Sequence, residues 1–232
     1  MKINEDKTKV MLFNRATKTD FLPTLELTKE KHIEVVEEMK LLGVMIRSDL
    51  KWASNTKLII AKCYKRMWML RNLRKFGADE TNLLEVYFQQ IRSITEMACP
   101  VWNAGLSQQE VRALERLQKV ALAIIRGDKY TSYQEALAFF KLDTLETRRT
   151  HLCLQFAIKA FKNPKFNSWF VPNPGKVTRS GQSSKVLKEV VTRKRRYLKS
   201  PIPYLTHILN SYLTEKENEL HTTRGRVPLS IM

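Results

Sequence analysis

No two aspartates stand side by side in this chain: Asp6, Asp20, Asp49, Asp79, Asp128 and Asp143 fall singly, most of them at expected turns or helix caps. Two-metal phosphoryl transfer needs carboxylates converging on ions ~3.5–4 Å apart, and this spacing offers no such pair. His32, His151, His207 and His221 are isolated, none at metal-ligand spacing. No catalytic residue, metal site or resident cofactor is therefore expected. Glycine is scarce, seven in all, so no phosphate-cradling glycine loop is present. Cys63, Cys99 and Cys153 are odd in number and widely separated, which fits neither a disulfide framework nor a zinc site. They read as buried, reduced thiols of an intracellular protein. The first thirty residues are densely charged and contain no apolar stretch of the signal-peptide kind. No run approaches the ~18 apolar residues of a membrane span.

What is present is positive charge. Forty-one Lys+Arg against 23 Asp+Glu give a net charge of +18, while 43% hydrophobic residues and a length of 232 allow a real core in one domain or somewhat more. A surplus of this size bears on partners, not on fold. Nucleic acid and an anionic membrane surface are the usual ones.

The charge is not spread evenly. Two short apolar runs, KTKVMLF at 7–13 and KLLGVMI at 40–46, flank a polar stretch, and the second leads into a helix over about 52–76. That helix carries Lys57, Lys62, Lys65, Arg66, Arg71, Arg74 and Lys75 and no carboxylate. Ile59, Ile60, Cys63, Tyr64, Met67, Trp68 and Leu70 are expected on its core side, with the cations mostly opposite. An acid-free cationic face repels itself unless a polyanion runs along it. Phosphate contact would release counterions and give salt-sensitive binding without sequence preference. A solvated face with no ligand is the plainer alternative. A membrane surface fits less well, because the other face is needed for the core.

Up to residue 46 the pattern is strand-like: Val10 and Leu12, then Leu25 and Leu27, lie in short β-favouring runs, with 14–23 as a turn-rich connection. Gly43 within 41–46 marks a bulge or a close backbone approach. Helices then follow. One over 80–94 breaks before Pro100, and another opens at Ser107 with Glu110 as a capping box and ends at Gly127. A short helix starts at Ser132-x-x-Glu135, and a long one, capped by Asp143, stops at Asn163-Pro164. Beyond Trp169, prolines, glycines and serines break any period, and the basic run Arg193, Lys194, Arg195, Arg196 follows. That run fits phosphate contact, a nuclear import signal or simply a solvated tail. A short helix is expected over 204–213.

In order and spacing, these pieces resemble the C-terminal part of the reverse transcriptase of non-LTR (LINE-type) retrotransposons. The likeness is carried by Lys2-Ile3-Asn4, Lys7-Thr8, Met11 and Phe13, then by Leu42-Gly43-Val44-Met45-Ile46 with Leu50-Lys51-Trp52. It continues through Leu114-Glu115-Arg116-Leu117-Gln118-Lys119, Ile124-Ile125-Arg126, Ser132-Tyr133-Gln134-Glu135-Ala136-Leu137 and Arg148-Arg149 to Asn163-Pro164-Lys165-Phe166 and Trp169-Phe170. The resemblance covers most of residues 2–170. It implies a late palm strand, a primer-grip hairpin with Leu42, Gly43 and Val44 near the primer end, and a thumb. The family polymerises DNA on RNA with Mg²⁺ held by palm aspartates, which would belong to a part preceding this chain. Lys7 matches a family lysine that helps protonate departing pyrophosphate. Here it reads equally as an exposed strand lysine.

The expected fold is α+β and predominantly helical: a small antiparallel N-terminal sheet at 1–51, a helical bundle at 52–170 and a basic irregular tail at 171–232. The first expectation is a fragment that holds RNA–DNA or DNA duplex, with no polymerisation of its own unless joined by a separate catalytic palm segment. Its phosphate contacts would be the seven cations of 52–76, the tip residues Leu42, Gly43 and Val44, and the tail run Arg193, Lys194, Arg195, Arg196. An intracellular site, with the nucleus as one option, goes with this reading. The alternative is a helical scaffold of retroelement origin with acidic protein partners, and a third reading is a remnant left unstable by an unpaired sheet edge.

Overall fold

The computed structural model describes residues 8–13, 26–28, 31–173, 186–189 and 195–224. The fold is α+β and predominantly helical. Its described strands are short and form three separate pairs. β1 (Lys9–Val10) runs parallel to β4 (Glu34–Val35), and Lys9 and Glu34 face each other as an ion pair at 2.9 Å. β2 (Glu26–Thr28) and β3 (Lys31–His32) are antiparallel. β5 (Glu38–Leu41) and β6 (Val44–Arg47) make an antiparallel hairpin in which Leu41 faces Val44. Its two-residue turn, Leu42 at φ 47° and Gly43 at φ 91°, has both residues at positive φ, as a type I′ turn requires.

The helices are α1 (Ala53–Lys75), α2 (Glu80–Tyr87), α3 (Ser93–Glu96), α4 (Cys99–Trp102), α5 (Gln108–Arg126), α6 (Tyr133–Phe140), α7 (Leu145–Lys162), α8 (Arg195–Leu198) and α9 (Pro201–Arg224). The helix expected over 80–94 is present but contains a wider π turn, Phe88–Arg92, where the Arg92 guanidinium lies 3.9 Å over the Phe88 ring. The capping box of α5 forms as read: the Ser107 hydroxyl accepts from the Glu110 amide at 3.3 Å, and the Glu110 carboxylate accepts from the Ser107 amide at 2.7 Å. Ser132 caps α6 through the Glu135 amide at 3.2 Å. The cap of α7 is one residue later than expected. Thr144, not Asp143, is extended there, and its hydroxyl takes the Thr147 amide at 3.1 Å. α9 is also longer than the 204–213 expected.

The chain divides into two compact units that interleave along the sequence: 1–95 with 106–136, and 96–105 with 137–232. In the first, α1 and α2 pack on α5. Cys63, Met67, Leu70, Leu83, Tyr87, Ile91, Leu114, Leu117, Leu122 and Ile125 fill its core. β6 lies against α1, where the buried Asn55 side chain accepts the Met45 amide at 3.1 Å. In the second, α4, α7 and α9 surround Cys99, Trp102, Leu145, Cys153, Ala157, Leu205 and Leu209. The buried Arg149 donates to Asn103 Oδ1 at 2.9 Å and lies 5.9 Å from the Trp102 ring centre. Asn210 on α9 closes both backbone groups of Leu187 at 2.9 Å, which anchors the short antiparallel bridge between Leu187 and Pro172. No helix among the described residues is long and apolar enough to cross a membrane.

Candidate nucleic-acid interface

α1 holds no glycine or proline over its 23 residues, so nothing in its sequence interrupts the helix. Its first turn has no acidic residue, and its last turn holds Arg74 and Lys75, which the negative helix end favours. The stop is a Schellman motif centred on Gly77 at φ 85°: the Gly77 amide donates to Arg74 carbonyl at 3.0 Å and the Ala78 amide to Leu73 carbonyl at 3.1 Å. Asn55, Thr56, Ile59, Cys63, Met67 and Leu70 are the buried side, turned toward α5 and α2.

The seven cations are not equivalent. Lys57, Lys65, Arg71 and Lys75 are exposed and face solvent. Arg66 is exposed as well but donates to Gln90 Oε1 at 2.7 Å, which ties it to the π turn. Lys62 is half-buried. Arg74 turns inward, its guanidinium donating to the Ile125 carbonyl and filling the space beside Gly127, where a Cβ would collide with it. Among the described residues none of the seven is in an ion pair. Cations elsewhere differ. Arg126 and Lys129 meet Glu80 at 3.1 and 3.4 Å, and Arg148 meets Glu96 at 3.1 Å. Burial works to raise the Glu80 pKa, but Arg126 and Lys129 outweigh it and hold the carboxyl below its usual range.

Two residues expected in the core are not there. Tyr64 is 41% and Trp68 68% exposed, on the same side as Lys57, Lys65, Arg71 and Lys75. The helix carries two stripes at helical spacing, and α5 packs against the one through Ile59, Cys63, Met67 and Leu70. The sequence signal for this was available: Lys57, Ala61, Tyr64, Trp68, Arg71 and Lys75 recur at steps of four and three.

At the hairpin tip the three expected residues separate. Leu42 is 94% exposed, Gly43 is intermediate, and Val44 is buried among the core residues. Only the Leu41–Leu42 edge offers apolar surface to a partner. Lys7, Arg193 and Lys194 lie outside the described residues, and Arg195 and Arg196 open α8.

The thiols are buried and free, as expected. Burial pushes the Cys63 thiol up to about 12. Cys99 and Cys153 share a hydrogen bond that holds the first below its usual value and pushes the second up, so the pair gives up a second proton only with difficulty. Among the described residues no group of three or more His, Cys, Asp and Glu side chains is placed to hold a metal ion. No protein-family model, curated protein or solved structure matches this chain.

Proposed function

We propose that this chain holds nucleic acid by its sugar–phosphate backbone, without sequence preference, through the solvent face of α1. We further propose that it does so as the primer–template-holding, non-polymerising part of a non-LTR retrotransposon reverse transcriptase. The observation that carries the first statement is the set Lys57, Lys65, Arg71 and Lys75: exposed, on a helix without a carboxylate, and outside every ion pair of the described residues. Unneutralised charge of one sign in a row is costly to the compact state and useful to a polyanion-binding surface. The exposed Leu41–Leu42 tip would lie beside the bound strand, and Arg193, Lys194, Arg195 and Arg196 would add phosphate contacts or direct the chain to the nucleus. Support for the second statement is the sequence likeness over most of residues 2–170.

Titrating the protein with RNA–DNA duplex at several salt concentrations tests the first statement. Engagement of Lys57, Lys65, Arg71 and Lys75 contributes about −4 to the slope of log K against log salt, and contacts by the tail run would steepen it. With Mg²⁺ and nucleotides the chain alone incorporates nothing, since its aspartates stand singly. Incorporation would overturn the non-polymerising reading. Absence of duplex binding at low salt would favour a helical scaffold whose cationic face meets acidic proteins.

A further inference from the structure

The solvent face of α1 is cationic but not only cationic. Tyr64 and Trp68 stand on it in one stripe with Lys57, Arg71 and Lys75, and Lys65 lies beside them. Positions at steps of three and four share one helix face. The rise of ~1.5 Å per residue puts the Cα atoms of Tyr64 and Trp68 ~6 Å apart along the axis and spreads the stripe over ~27 Å. That backbone step is close to twice the ~3.4 Å between stacked bases of one strand.

Each class of partner makes a different use of such a face. A membrane rewards continuous apolar area, yet the rings are set among cations, and the one Leu, Ile or Val at helical spacing from either ring, Ile60, is half-buried. An acidic protein answers the charge and leaves the rings without a role. A duplex presents phosphates and groove edges, but its base faces are already stacked within it. A single strand presents phosphates and unpaired base faces together, and aromatic rings in a cationic groove are how such strands are held without sequence preference.

We infer that Tyr64 and Trp68 form a stacking platform for unpaired bases, so that the protein holds single-stranded nucleic acid more tightly than duplex. This deepens the nucleic-acid reading above and rests on it. The phosphate contacts of Lys57, Lys65, Arg71 and Lys75 serve both forms of nucleic acid, and the rings add affinity for one of them.

The test is fluorescence anisotropy at one low salt concentration with labelled oligo(dT) of about 20 nucleotides and a duplex of the same length. The proteins are the full chain, Trp68→Ala and Trp68→Phe. Trp68 is 68% exposed, so both variants should melt as the parent does, which circular dichroism checks. Trp68→Ala should weaken single-strand binding about tenfold and duplex binding less than about twofold, while Trp68→Phe keeps most of the single-strand affinity. An equal loss on both forms, or no loss on the single strand, would overturn the stacking platform and leave phosphate binding standing. Failure of the parent to bind either form would sink both readings. Phosphatidylserine vesicles that bind the parent but not Trp68→Ala, with oligonucleotide binding unchanged, would assign the rings to a lipid surface instead.

Discussion

Leu42 shows how much one residue can carry at the tip of a hairpin. It is 94% exposed and sits at φ 47°, a region that costs a branched L-residue ~1–2 kcal/mol and that Asn or Gly enters more readily. Leu42→Asn should therefore raise stability by about 0.5–1 kcal/mol, seen as a higher denaturant midpoint at unchanged slope. A fall in the midpoint would mean that the leucine packs against something in solution. The sequence pointed to a bulge or a close backbone approach at Gly43, whereas the residue occupies the two-residue turn of the hairpin. Nor could the sequence tell Leu42 from Val44: two residues apart on a strand they would share a face, and only the turn at 42–43 lifts Leu42 out of the ladder while Val44 pairs with Leu41. The cap of α7 is a similar case: Asp143 and Thr144 are both good caps, and only the backbone shows that Thr144 occupies the position.

At the scale of the element, α1 was legible in extent and sign of charge but not in orientation. Gly77 and the unbroken run before it define a helix that ends where expected. Which of its two stripes is buried depends on α5, a partner some fifty residues downstream, and local periodicity is silent on that. The same dependence removes Arg74 from the exposed set. Lys57→Gln, Lys65→Gln and Arg71→Gln should each flatten the salt dependence of duplex binding by about 0.9. Arg74→Gln should leave that slope alone and cost about 1–2 kcal/mol of stability through the lost hydrogen bond to the Ile125 carbonyl. A change of slope with Arg74→Gln, matching the other three, would show that the guanidinium turns outward in solution. The capping box of α5 and its stop at Gly127, by contrast, were readable because both are set by residues within one turn.

For the whole molecule, the α+β, mainly helical class followed from the change of period near residue 52. The interleaving of the two units did not, since nothing in composition marks 95–96, 105–106 or 136–137 as crossing points. One consequence is testable. A fragment of residues 137–232 made alone lacks Cys99, Trp102 and Asn103, which supply buried partners to Cys153 and Arg149. It should show no cooperative melt by circular dichroism, because the α7–α9 pair loses the Trp102 side of its core and Arg149 loses its hydrogen bond to Asn103, the latter costing about 1.5–3 kcal/mol. A sharp melt of that fragment would show that α7 and α9 suffice as a core.

Gly127 links the ends of two helices. Lacking a side chain, and at φ 51°, it both terminates α5 and leaves the hollow in which the Arg74 head group rests. The breadth of positive surface that α1 offers outward is thus trimmed at one end by an empty space belonging to another helix.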